Sequence, residues 1–117
     1  MTHQGWIGCD LDGTLAVHDT DGFAKHGPSY IGPPVEKMVA RVKKWLAEGR
    51  EVRIVTARVS LGDNRESIRR PIIAWCIHHI GQELPITNEK DYSMLELWDD
   101  RAIQIIPNTG ERADGKE

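Results

Sequence analysis

Short apolar runs, each closed by a polar or glycine-containing turn, set the rhythm of this chain. Trp6-Ile7-Gly8-Cys9 is the first run and Asp10 stops it, which predicts a buried strand ending at a polar turn. Residues 15–34 hold Gly22, Gly27, Gly32, Pro28, Pro33 and Pro34 and read as a loop of about twenty residues, a length that in small domains is usually functional or mobile. Pro33-Pro34 then opens a helix, because a missing N–H costs nothing at the first helical position. Val35, Met38, Val39, Val42 and Leu46 carry helical spacing, with Gly49 as the C-cap.

Val52-Arg53-Ile54-Val55 is a second strand, ending at Thr56. Gly62-Asp63-Asn64 is a turn with N-cap candidates, and Ile68, Ile72, Cys76 and Ile80 mark the apolar side of a second helix that Gly81 closes. Pro71 should start or kink that helix. Leu84-Pro85-Ile86-Thr87 is a brief third strand, and Leu95-Glu96-Leu97-Trp98 a fourth that ends at Asp99-Asp100. Glu96 is unusual there, since buried parallel strands are near-continuously apolar. Ile103-Gln104-Ile105-Ile106 reads as a fifth strand stopped by Pro107. Strands alternating with helices imply βαβ units. The expected fold is therefore α/β: a three-layer αβα, Rossmann-like single domain over residues 1–107 with a mostly parallel sheet. Residues 108–117 are expected to be a polar, frayed tail.

Composition narrows the function classes. The 117 residues suffice for one core, and 39% hydrophobic content excludes disorder as the main state. Fifteen Lys and Arg against eighteen Asp and Glu give a net charge of −3, so no global basic field exists for nucleic acid or acidic membranes. The longest apolar run, residues 72–77, is too short to span a bilayer. No basic region followed by an apolar stretch opens the chain, so no secretory leader is expected. Cys9 and Cys76 have no CxxC spacing and read as buried thiols of a reducing compartment, with the cytoplasm as the expected location.

Ligands of open parallel sheets bind beyond the carboxyl ends of the strands. Three strands end there in polar groups: Asp10, Thr56 and Asp99-Asp100. Adjacent strands lie roughly 5 Å apart, so if these are neighbours, Asp10, Asp12, Asp99 and Asp100 converge on one edge. Four like charges in a small space need compensation. Lys90, in the loop before the last long strand, supplies one positive charge, and a divalent cation supplies two more. An all-oxygen donor set suits Mg²⁺ better than zinc. The residues point to a Mg²⁺–carboxylate site that accepts an anionic, phosphate-bearing ligand.

Asp10-Leu11-Asp12-Gly13-Thr14-Leu15 resembles the first motif of the haloacid dehalogenase superfamily, whose phosphatase members read DxDGT after the first strand. Thr56 is similar to its second motif, Lys90 to its third and Asp99-Asp100 to the DD form of its fourth, all in the family's order. Tyr30-Ile31-Gly32-Pro33-Pro34, Thr56-Ala57-Arg58, Asn88-Glu89-Lys90-Asp91 and Trp98-Asp99-Asp100-Arg101-Ala102 resemble small capless members found in phage and bacterial genomes. The resemblance implies a phosphatase in which Asp10 attacks phosphorus to give an aspartyl-phosphate. Asp12 is then the general acid and base. Mg²⁺ is held by the Asp10 side chain, the Asp12 backbone carbonyl and Asp99, with Asp100 helping. Thr56 hydrogen-bonds a phosphate oxygen, and Lys90 holds Asp10 and the phosphate together by charge. Gly13, Thr14, Ala57 and Arg58 join Thr56 around the phosphate.

The stretches 13–55 and 57–89 are consumed by single loops, helices and strands, so neither holds a cap domain, for which about fifty residues is a lower bound. An open site suits an end-exposed phosphate, such as a polynucleotide 3′ end or a phosphoprotein, or a small phosphoester if residues 17–31 or a second copy supply a lid. A membrane is not expected as a partner, and nucleic acid enters only as substrate. Beside the phosphomonoesterase stand two alternatives, a polynucleotide 3′-phosphatase and a non-catalytic phosphate-binding protein on the same scaffold. A response-regulator phosphoacceptor domain fits poorly, because there the paired acids come first and the Lys last.

Several residues read as structural. Asp19 and Asp21 are turn residues, and Arg65, Arg69 and Arg70 a solvated basic face. Arg58 either holds a distal phosphate or makes a surface salt bridge. His78 and His79 point about 100° apart on a helix and do not chelate. His18 and His26 lie in the long loop and are minor candidates for touching substrate. Trp45, Trp75 and Trp98 are packing residues, and Cys9 is inert.

Overall fold

Strands β1 (Trp6–Asp10), β2 (Glu51–Val55), β3 (Ile86–Thr87) and β4 (Met94–Trp98) form one sheet in the order β3-β2-β1-β4, every pair parallel. The structure is a computed structural model that describes residues 4–61 and 66–117. The turn expected at Gly62-Asp63-Asn64, and Arg65, lie outside the described residues. Three helices accompany the strands: α1 (Thr20–His26), α2 (Glu36–Ala47) and α3 (Glu66–His79). This is the expected α/β class, consistent with a Rossmann-like three-layer αβα fold.

The steps β1 to β2 and β2 to β3 run the same way across the sheet, so right-handed crossovers place α2 and α3 on one face. The core confirms this. Ile7 and Cys9 of β1 pair in register with Val52 and Ile54 of β2, and all four are buried against Met38, Val39 and Val42 of α2 and Ile72, Trp75 and Cys76 of α3. Burial pushes the Cys9 thiol up to about 12, as an inert packing residue requires. On the opposite face the Trp6 ring lies over Gly8, where a Cβ would come within 3.2 Å of Trp6 Cζ3 and 3.0 Å of Val55 Cγ2. The Arg53 guanidinium covers Trp6 at 4.4 Å, and the indole N–H donates to Asp91 Oδ1 at 2.8 Å. That bond ties the start of β1 to the connection between β3 and β4.

α2 ends as the glycine predicts. Gly49 sits one residue past the cap at φ +80°, its N–H reaches Leu46 O, and the Arg50 N–H reaches Trp45 O. α3 carries Pro71 within its span, rather than beginning at it. Arg70 pairs with Glu66 one turn earlier, and Arg69 Nη1 donates to Ile86 O.

Three expectations give way. Residues 15–34 are not all loop, because α1 lies within them. The pattern hid it: Phe23 is the single large apolar residue of its seven and is itself 43% exposed. Polar contacts hold it instead, since Asp19 Oδ1 accepts from the Gly22 N–H and Asp19 Oδ2 from the Tyr30 hydroxyl, each at 3.0 Å. The excursion closes at its neck, where Val17 N–H donates to Pro33 O at 2.8 Å and the buried Trp75 indole donates to Gly32 O at 2.9 Å.

Ile103-Gln104-Ile105-Ile106 forms no fifth strand. Its apolar side chains are about half exposed, and the segment folds back on itself: Ile106 N–H donates to Glu111 O and Ala113 N–H to Gln104 O. The return passes through Asn108 at φ +68° and Gly110 at φ +74°, so residues 108–113 belong to this hairpin and are not a frayed tail. β4 is consequently an edge strand, which explains Glu96: it is solvent-exposed and accepts from the Trp98 indole at 3.1 Å.

Candidate functional site

Because β1 lies between β2 and β4, the carboxyl ends carrying Asp10, Thr56 and Asp99 are brought side by side. They open onto a cleft of about 480 Å³. Asp10, Asp12, Thr56, Ala57, Arg58, Asp99 and Asp100 line it, together with Val55, His18, Ser60, Asn88 and Arg101. Lys90 is exposed in the loop between β3 and β4 and is not among the lining residues.

The chain leaves β1 through a tight turn. Buried Leu11 anchors it: its carbonyl accepts from the N–H groups of Leu15 and Ala16 at 3.0 and 2.9 Å. Gly13 adopts φ +91°, and a Cβ there would fall 2.6 Å from Asp100 Oδ2. Glycine is required at that point for its backbone conformation and for room beside a carboxylate.

Oxygens of Asp10, Asp99 and Asp100 lie within 4.8 Å of one another. The Thr14 hydroxyl bridges two of them, 3.1 Å from Asp100 Oδ1 and 3.3 Å from Asp10 Oδ2, and accepts from the Asp100 N–H at 3.0 Å. Asp99 Oδ1 accepts from the Arg101 N–H at 2.7 Å. Burial pushes Asp10 up to about 7, helped by its hydrogen bond with Asp100 and by the charges of Asp99 and Asp100. Desolvation also presses Asp100 upward, but its hydrogen bonds with Asp10 and Thr14 outweigh this and hold it below the usual carboxylate range. The two neighbouring carboxyls are thus shifted in opposite directions, Asp10 up and Asp100 down. These three carboxylates, two of them half-buried and one positioned by Thr14, form an all-oxygen donor set that could hold a metal ion.

Asp12 is kept apart from that cluster by Arg58. Nε lies 2.7 Å from Asp12 Oδ2 and Nη2 2.8 Å from Oδ1, a fork-on-fork pair. The same guanidinium donates to Pro28 O and Tyr30 O, both at 2.7 Å, and lies over the Phe23 ring at 5.7 Å. Of the two readings that Arg58 suggests in sequence, the salt bridge is the one present, with its side chains only 15% and 26% exposed rather than on the open surface. It joins Asp12 to the α1 excursion, which also brings His18 to the cleft.

Thr56 is 2% exposed and, among the described residues, is the one buried polar side chain. Its N–H is taken by Thr87 O at 2.9 Å, and its Oγ1 accepts from the Arg58 N–H at 3.2 Å. Thr56 also lines the cleft. Ser60 carries no signal in the sequence, whereas Asn88 and Arg101 stand within the stretches around Lys90 and the acid pair without a role of their own assigned there.

No protein-family model matches this chain, and no curated protein matches it. Among solved structures, a conserved protein coded by a locus from Bacteroides thetaiotaomicron aligns over 91% of this chain and 84% of its own length. The identity is 20% and the TM-score 0.58, so the likeness is one of fold.

Proposed function

We propose that this chain is a Mg²⁺-dependent phosphomonoesterase of the haloacid dehalogenase type. One observation carries the reading: Asp10 faces an open cleft with two further carboxylates on one side and the Thr56 hydroxyl on the other, while a second acid, Asp12, stands separately oriented nearby. That arrangement divides the labour that phosphate-ester hydrolysis needs.

Asp10 is the nucleophile. A carboxylate oxygen forms a bond to phosphorus as the ester oxygen leaves, and Asp12 gives that oxygen its proton. Asp12 then takes a proton from water, whose oxygen attacks the aspartyl-phosphate, releasing inorganic phosphate and restoring Asp10. Arg58 orients Asp12 in the resting site, and one of its two bonds yields when that carboxyl carries the proton. Thr56 donates its hydroxyl to a phosphate oxygen. Bound at Asp10, Asp99 and Asp100, Mg²⁺ would neutralise charge between nucleophile and phosphate and on the transferring group.

The test is phosphate release from a panel of aryl phosphate, nucleotides, sugar phosphates and 3′-phosphorylated oligonucleotides, with and without Mg²⁺. Turnover that needs Mg²⁺ and disappears in Asp10→Asn is the expected result, with the best substrate naming the class. Absence of turnover in the wild type would overturn the enzymatic reading in favour of phosphate binding without catalysis.

A further inference from the structure

We propose that Arg101 is the residue through which this cleft grips the phosphate oxygens of its substrate. The inference rests on the phosphomonoesterase reading and assigns a role that neither Arg58 nor Lys90 is placed to fill.

Charge makes such a residue necessary. Asp10, Asp12, Asp99 and Asp100 line the cleft, and a phosphomonoester brings close to two further negative charges at neutral pH. Arg58 is committed: it answers Asp12 with two hydrogen bonds and gives two more to the carbonyls of Pro28 and Tyr30. One N–H of its five remains, and its charge is balanced by the carboxylate it holds. Lys90 is exposed and does not line the cleft.

Arg101 differs on each count. It lines the cleft, and among the described residues its guanidinium makes no ion pair and no hydrogen bond. Its backbone is nevertheless fixed, because its N–H donates to Asp99 Oδ1 at 2.7 Å and the preceding Asp100 N–H donates to Thr14 Oγ1. A positioned main chain with a free planar donor fork is what bidentate capture of a phosphate demands. The Arg101 charge helps to hold the Asp100 carboxyl low, but no hydrogen bond from that fork occupies the Asp99 or Asp100 oxygens, so they stay available to a cation while Arg101 reaches the ligand. An exposed guanidinium at the cleft wall meets the phosphate in the ground state and in the transition state alike, so its removal weakens KM rather than kcat.

The experiment measures steady-state kinetics with an aryl phosphate in Mg²⁺ for wild type, Arg101→Ala and Arg101→Lys, alongside calorimetric titration of each with inorganic phosphate. Arg101→Ala should raise KM about tenfold with kcat changed by less than about threefold, and weaken phosphate binding to the same degree. Arg101→Lys should recover part of both. Turnover with an unchanged KM in Arg101→Ala would overturn the role of Arg101 and leave the phosphomonoesterase reading standing. If the wild type releases no phosphate, that reading fails and the titration decides: phosphate binding lost in Arg101→Ala supports the assignment, whereas equal binding, or none in the wild type, overturns it.

Discussion

Arg58 and Asp12 meet edge to edge although 46 positions separate them, with both guanidinium-to-carboxylate bonds at 2.7–2.8 Å. The two side chains are only 15% and 26% exposed, so water screens the pair weakly. Through the same guanidinium the orientation of Asp12 depends on the carbonyls of Pro28 and Tyr30, and thus on the seating of α1.

Arg58→Ala should therefore cost stability and catalysis together. Loss of a half-buried, charge-assisted network is worth about 1–3 kcal/mol, seen as a fall of several degrees in melting temperature. Phosphate release should drop at the step that Asp12 serves, with kcat falling more than KM rises. Arg58→Lys keeps the charge but cannot reproduce the fork, and should recover less than half of either loss. A lysine variant indistinguishable from wild type would mean that charge alone suffices.

Asp10 predicts a pH dependence in the metal-free protein. Its pKa moves from 3.8 to about 7 on folding, so between those values the folded chain holds a proton that the unfolded chain has released. Stability should then fall as pH rises from about 4 to about 7 and level off above. Asp100, held low, acts at the acid end, where its contribution is present above 3.8 and is lost as pH falls further. Asp10→Asn removes the larger effect: in chelator its melting temperature should exceed that of wild type at pH 8, by less at pH 5, and match it near pH 4. Millimolar Mg²⁺ should raise the wild-type melting temperature at pH 8 and leave Asp10→Asn nearly unmoved. Parallel melting curves for the two proteins across this range would contradict the assignment.

Gly13→Ala places a methyl group 2.6 Å from Asp100 Oδ2 at a backbone φ of +91°. The strain amounts to about 1–3 kcal/mol, and relief requires Asp100 to leave Thr14. Divalent-cation affinity, read by calorimetry, should fall together with the melting temperature. Unchanged affinity would show that Asp100 is not needed for the cation.

The strands bearing Asp10, Thr56 and Asp99 were legible because each is a short apolar run cut off by a polar residue, a pattern made locally by the chain. α1 was not, since Asp19, Gly22 and Tyr30 hold it by hydrogen bonds that leave no periodicity. Ile103, Ile105 and Ile106 mislead in the opposite way: β-branched residues suit a strand, but a strand also needs a neighbour, and here the chain turns back on itself. Glu96 looked anomalous only until β4 proved to be an edge. The DxDGT carboxylates could be placed from sequence, whereas the partner of Asp12 could not, because no local pattern links residues 12 and 58. Lys90 follows β3 as the motif order leads one to expect, exposed in the loop before β4.

The central place of β1 has a further consequence, for how the molecule breathes. Its residues are registered against β2 from Trp6 to Asp10 and against β4 from Trp6 to Cys9, so their amides exchange with solvent only when the sheet itself opens. α1 is short and largely exposed, and opens by a local excursion of much lower free energy. Asp10 therefore sits at the end of the segment that should exchange most slowly, while His18 and Arg101 stand outside it. Substitutions on those two walls can change what enters the cleft without loosening the strand that holds the nucleophile.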